Sequence, residues 1–264
     1  MRFGFRTAGF ATMPVAQILE GLAQAGYASV ELCLEHPELD PRALRPSDVC
    51  RALQQAGLAT ASLSHHGDLL ASPETVDIVV QACRLAPELG TRIVVISSAR
   101  RDAVPVGADS CPPLRSAPRT MESLSRALAP ILDAAEAAEV VVALEPEPDL
   151  VVETAADMLA LARAMQSPRL VVNLDIGHAH LTDGVRPAIE ALGARIVHAH
   201  LDDMVRPTHR HLLPGEGEIN FPSTLAALSA IASDMPLVVD LFHLGPDPLL
   251  TARRARECLS RALC

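Results

Sequence analysis

The chain has 264 residues, 49% of them hydrophobic and only 2% aromatic, with no Trp and one Tyr. It carries 22 basic against 32 acidic residues, a net charge of −10. That length suits one large domain, the missing aromatics argue against base-stacking platforms, and the acidic balance argues against a nucleic-acid partner.

In chain order, short β-branched runs occupy residues 2–6, 29–34, 59–64, 92–97, 140–145, 170–175, 195–201 and 237–241. Each is followed by a segment able to form a helix, for example 14–25, 73–89, 119–138 and 155–165. Strand–helix alternation of this kind predicts parallel strands covered by helices, and eight such units predict a closed (β/α)₈ TIM barrel forming one domain over 1–264. Gly26, Gly57 and Gly90 stand where helices should stop before the next strand. Residues 99–118 form the longest gap; they are read as an active-site loop, a disordered insertion being the other reading. Arg100, Arg101, Arg115 and Arg119 flank or lie in it and could grip a phosphate or carboxylate, although a solvated charged loop is the commoner explanation.

The six cysteines are scattered, with no C-x-x-C pair, as expected of reduced thiols in a cytoplasmic protein. Pro14, Gln17 and Glu20 interrupt any signal-peptide core, and no apolar run approaches about 20 residues, so neither export nor a membrane span is expected.

In a parallel barrel the C-terminal strand ends share one face, and the site lies there. The fifth run ends in Glu145, the sixth in Asp175, the seventh in His198-Ala-His200, and the eighth near Asp240. Each alone could cap a helix, pair with an arginine or sit hydrogen-bonded in a core. Three buried carboxylates at one rim would repel one another, and a divalent cation removes that cost. The donor set is oxygen-rich and suits Mn²⁺, Co²⁺ or Mg²⁺, with Zn²⁺ also compatible. Such an ion polarises a carbonyl and steadies a developing enediolate.

Five short segments carry a family resemblance: A-L-E-P at 143–146, N-L-D-I-G-H-A-H at 173–180, V-H-A-H-L-D-D at 197–203, P-G-E-G-E-I-N-F at 214–221 and L-V-V-D at 237–240. In this order they resemble the xylose isomerase-like TIM barrel superfamily, in the sugar phosphate isomerase/epimerase branch that is related to inosose-processing enzymes and endonuclease IV. The first half of the chain matches in rhythm and in strand-end residues such as Glu31 and His66.

The resemblance implies Glu145, Asp175, His200 and Asp240 as metal ligands, with Glu145 and Asp240 also moving protons. It implies His178, Arg206 and His66 as substrate contacts. It implies isomerisation or epimerisation of a small polyhydroxylated sugar, keto-sugar or cyclitol, with a dehydratase as the second reading and an endonuclease IV-like hydrolase as the third. The hydrolase reading needs a second metal group, for which His178, His209 and His211 are the candidates. The family pattern has Glu where this chain has Asp240, and the shorter arm argues for a ligand that has lost its proton role. A homo-oligomer is compatible with this reading.

Overall fold

A computed structural model describes residues 2–10, 13–101 and 119–262. The parallel barrel strands are β1 Phe3–Arg6, β2 Ser29–Cys33, β3 Ala59–His65, β4 Ile93–Ser97, β5 Val141–Glu145, β6 Leu170–Asp175, β7 Ile196–Leu201 and β10 Leu237–Val239. They close in the order β1-β10-β7-β6-β5-β4-β3-β2. An antiparallel hairpin, β8 Asp203–Val205 with β9 Thr208–Leu212, follows β7. The described helices of six residues or more are α1 Val15–Gln24, α2 Pro46–Ala56, α3 Pro73–Leu85, α4 Met121–Ala137, α5 Ala155–Met165, α6 Ile176–Leu181, α7 Val185–Leu192, α8 Phe221–Ile231 and α9 Pro248–Ala262. None of the described helices is long and apolar enough to cross a membrane.

The strands form where β-branched side chains are buried on both faces, as a helix-covered parallel sheet requires. In β5, four of five residues are buried, and only the first is half-exposed. The helices bury one stripe each: α1 buries Ile18, Leu19 and Leu22 on the barrel. With few rings available, the core is mostly Leu, Val, Ile and Ala. One small aromatic cluster lies in it, Phe5 edge-on to Phe10 and Tyr27 at centroid distances of 5.7 and 5.2 Å. Helix ends follow local chemistry. Gly57 closes α2 at φ 71°, where a side chain would strain the backbone, and its N–H bonds Gln54 O.

Register decides what the rim presents. Arg6 pairs with Glu31, Glu31 with Ser62, Ser97 with Glu145, and Asp175 with His200. Polar strand-end residues from β1 to β7 therefore lie level around one mouth. The hairpin is bolted to this face by buried Asp203, which accepts the N–H groups of Gly215, Gly217 and Ile219 at 2.9, 2.9 and 3.0 Å. A Cβ on Gly217 would collide with the Asp203 carboxylate and Met204 carbonyl, which accounts for the second glycine of the P-G-E-G segment.

Candidate metal centre

Four strands deliver the residues expected from the sequence. Glu145, Asp175 and His200 lie on β5, β6 and β7, Asp240 directly follows β10, and all four are at least 99% buried. His200 is the hub. Its Nδ1 is 3.1 Å from Glu145 Oε2, 3.4 Å from Asp240 Oδ2 and 3.9 Å from Asp175 Oδ2. Its Nε2 lies 3.1 and 3.2 Å from the two oxygens of Glu31. A carboxylate behind one ring nitrogen orients the ring and, when the imidazole is neutral, leaves the lone pair on the other nitrogen, which also lies 3.1 Å from Asn173 Nδ2. Asn173 Nδ2 donates to Glu145 Oε2 at 2.7 Å.

The residues fit a divalent cation. Asp175 Oδ2 and Asp240 Oδ1 are buried and have no hydrogen-bond partner. Carboxylate oxygens are rarely left so, because each lost partner costs about 1–3 kcal/mol. Two overlapping triads share Asp175, namely Glu145–Asp175–His178 and Asp175–His211–Asp240, with ligand atoms within 4.8 Å of one another in each; His200 forms a third such group with Glu31 and His198. Hard oxygen donors with one imidazole form a set that binds such ions well.

Electrostatics follow from the crowding. Burial opposes charge on His200, but Glu31 and Glu145 outweigh it and hold the imidazole well above its ordinary value. Burial likewise opposes the Glu145 and Asp240 carboxylates. His200 and His66 pull Glu145 well below the usual range, and Arg6 and His200 pull Asp240 down. Asp202 is different, because burial and then Asp175 push it up to about 7.

His198 sits one layer below His200, as the strand alternation predicts. Its Nδ1 meets Asn173 Oδ1 at 2.7 Å and its Nε2 meets Ser62 Oγ at 3.0 Å. Burial pushes it down to about 4. His178, near the start of α6, has Nδ1 3.0 Å from Glu145 Oε1 though off a hydrogen-bond axis. Asp175 caps that helix by accepting the His178 N–H at 2.8 Å.

The hairpin brings His209 and His211 over His178, and the three offer ligand atoms within 4.8 Å of one another. His209 Nε2 is 2.9 Å from His178 Nε2. His211 Nδ1 lies 3.0 Å from Asp202 Oδ2, and its ring meets Phe242 edge-on at 5.0 Å. His66 bonds Ser97 Oγ through Nδ1 at 2.8 Å, lies 3.9 Å from Glu145 Oε2, and stacks on His200 at 6.0 Å.

Arg206 stands apart on the exposed hairpin turn, its Nε donating to His180 O at 2.8 Å and its guanidinium making no described contact with the carboxylates of the centre. Arg119 pairs with Asp68 at 2.5 Å, and Arg101 with Glu153 at 2.9 Å. Both are engaged with carboxylates, and Arg115 and most of the 99–118 loop lie outside the described residues.

Three features went unread in the sequence. Arg6 is 1% exposed and joins Asp240 and Glu31. Glu147 stands beside Ser97, its pKa raised chiefly by burial. Asp202 accepts the Gly177 N–H at 3.1 Å. The repeated acids of E-P-E and L-D-D were the only available signals for the last two.

Residues 19–262 match the family of xylose isomerase-like TIM barrels, and the chain belongs to that family. No curated protein matches it. Among solved structures it resembles the 3-keto-D-glucoside 4-epimerase YcjR of E. coli, with 18% identity, a TM-score of 0.79 and 99% of both chains covered. It resembles a probable 3-DHS dehydratase, AsbF, of Bacillus anthracis, with 16% identity and a TM-score of 0.75, covering 98% of this chain and 99% of that one. It also resembles the IOLI protein with a binding zinc atom, with 19% identity and a TM-score of 0.74, covering 99% of this chain and 96% of that one. Identities this low establish a shared fold.

Proposed function

We propose that the chain is a divalent-metal-dependent isomerase or epimerase acting on a small polyhydroxylated carbonyl compound, a sugar, keto-sugar or cyclitol. The observation that carries this reading is the convergence of three carboxylates on His200 Nδ1, two of them with a buried oxygen left without a partner. Glu145, Asp175, His200 and Asp240 would hold the ion. The chemistry it supplies when bound is Lewis-acid polarisation of a carbonyl and its neighbouring oxygen.

The protein's own groups do the rest. Glu145 takes the proton from the carbon beside the carbonyl and, in isomerisation, delivers it to the former carbonyl carbon; in epimerisation Asp240 would return a proton to the opposite face. Asn173 holds Glu145 Oε2, and Oε1 faces His178. His178 exchanges a proton with a substrate oxygen, His66 binds a further hydroxyl, and Arg206 would reach another from the rim once its guanidinium leaves the His180 carbonyl. Buried walls exclude water from the acidified carbon.

A second reading is a dehydratase. It uses the same proton abstraction, with His178 protonating a departing hydroxyl, and the placement of His178 against Glu145 favours it. The likeness to a probable dehydratase and an epimerase supports keeping both on one scaffold.

The test is proton exchange. Mn²⁺- or Zn²⁺-loaded protein in D₂O is incubated with a panel of ketoses, 3-keto-glycosides, inososes and a dehydroshikimate, and read by proton NMR. At least one compound should lose its α-proton signal, and Glu145→Gln should abolish that loss. A panel that stays inert, with cleavage of abasic DNA instead, would replace this reading by the hydrolase.

A further inference from the structure

Arg6 is the only Lys or Arg side chain among the buried charged residues described, and it ends β1 on the side of the barrel where the sheet closes against β10. Its Nη1 donates to Asp240 Oδ2 at 2.8 Å. Its Nε edge faces Glu31 Oε1 at 3.1 Å, an ion-pair contact off the hydrogen-bond axis. Glu31 also meets His200 Nε2, and His200 Nδ1 returns to Asp240 at 3.4 Å. The four side chains close a ring. The Phe242 ring covers the guanidinium at 5.0 Å.

We propose that Arg6 is a positioning residue of the metal centre: it ties Asp240 to Glu31, and through Glu31 to His200, so that one side chain on the first strand aims two of the four ligands. The proposal rests on the metal reading above. With Oδ2 held by Arg6, Oδ1 is the Asp240 oxygen left to ligate, and it is the atom that lacks a partner. Both carboxylates of the ring stay in register because a planar guanidinium presents two edges at fixed angles, which an ammonium does not.

Charge ballast is the competing role, and it makes the opposite forecast. A fixed cation beside a cation site repels the incoming ion. If Arg6 only neutralises spare carboxylates, removing its charge should tighten metal binding. If it aims ligands, removing it should loosen binding, despite the relief of repulsion.

The experiment titrates chelator-treated wild type, Arg6→Lys and Arg6→Met with Co²⁺, following heat and the visible absorption that reports coordination geometry. Loss of an outer partner of a metal ligand typically costs about 10–100-fold in affinity. That loss is expected in both variants, with a changed Co²⁺ spectrum. In an Asp240→Asn background the same substitutions should cost less, because one of the two aimed ligands is gone. If Arg6→Met does not fold, Arg6→Lys decides alone, since it keeps the buried charge and loses only the two-edged geometry. Wild-type affinity and spectrum in Arg6→Lys, or tighter binding in Arg6→Met, would overturn the proposal while leaving the metal reading intact. A wild type that takes up no Co²⁺ would overturn the metal reading, and the proposal with it.

Discussion

Replacing Asp175 by Asn separates the metal role of this residue from its structural one. The Oδ1 atom caps α6 through the His178 N–H, and an asparagine caps equally well. The Oδ2 atom is buried without a partner, 3.9 Å from His200 Nδ1 and on the carboxylate shared by two candidate triads. Without metal, two effects oppose: relief of the stranded oxygen, about 1–3 kcal/mol, and lost attraction to His178 and His200. The metal-free Tm should therefore stay within about 4 °C of wild type, at about 2–4 °C per kcal/mol for a domain near this size.

With metal the two proteins part. At a concentration one hundredfold above Kd, binding stabilises wild type by about 2.7 kcal/mol, or roughly 5–11 °C. If Asn weakens binding about 100-fold, an order set by losses seen for lesser partners, the same concentration yields only about 0.4 kcal/mol. The metal-dependent rise then shrinks to roughly 1–2 °C. Calorimetry or far-ultraviolet dichroism is the assay, because a chain with no Trp and one Tyr gives little intrinsic fluorescence change. An Asn variant with the full wild-type rise would refute the reasoning.

His200→Ala should lose the metal and His198→Ala should keep it, at a stability cost from the lost ring and from taking away the His198 contact of Asn173 Oδ1; elemental analysis decides, and the reverse pattern would put the register wrong. In chelator-treated protein, His66 and His198 sit near 4, while His178 and His211 sit near 10 and 9, against an ordinary 6.5. The first pair refuses protons that the unfolded chain takes up, so stability rises as pH climbs from about 4 to 6.5. The second pair contributes stability that is full below about 6.5 and is lost as pH rises through its folded values. Asp202, raised to about 7, works against the first pair over that window, and His209, lowered to about 4 chiefly by burial, works with it. Metal-free stability should thus peak close to the ordinary histidine value, and a maximum at pH 8 or above would contradict the assignment. On a turned-over substrate in D₂O, deuterium should return to the face from which Glu145 removed the proton, because Arg6 engages Asp240 Oδ2, and this outcome selects isomerisation over epimerisation; clean inversion at carbon, with rates lost in Asp240→Asn despite bound metal, would make Asp240 a second base and select epimerisation.

The strands were legible because burial on both faces leaves long β-branched runs. The segments at Leu170–Asp175 and Ala155–Met165 end where the sequence pattern ends. The eighth barrel strand is shorter than its apolar run, stopping at Val239 and releasing Asp240 to turn toward Arg6. The ligand candidates could be read because parallel strands put their last residues on one face.

Arg6 could not be read this way. Its meaning depends on barrel closure, which brings residues 234 positions apart into one hydrogen bond, and no local pattern encodes that. The β8–β9 hairpin was hidden for a related reason. Its anchor is Asp203, reaching the N–H groups of a loop more than ten residues onward. The T-H-R-H run showed only that two histidines alternate, and the anchor is what sets them over His178. Arg206 was reached through the resemblance, and its side chain rests on the His180 carbonyl at the rim.

Anomalous diffraction from crystals grown with Mn²⁺ or Zn²⁺ reads directly where the ion binds. The expected map has a strong peak per chain lying about 2.0–2.3 Å from a carboxylate oxygen of each of Glu145, Asp175 and Asp240 and from His200 Nδ1. A peak confined to His178, His209 and His211, or no peak within reach of Glu145 and Asp175, would contradict it.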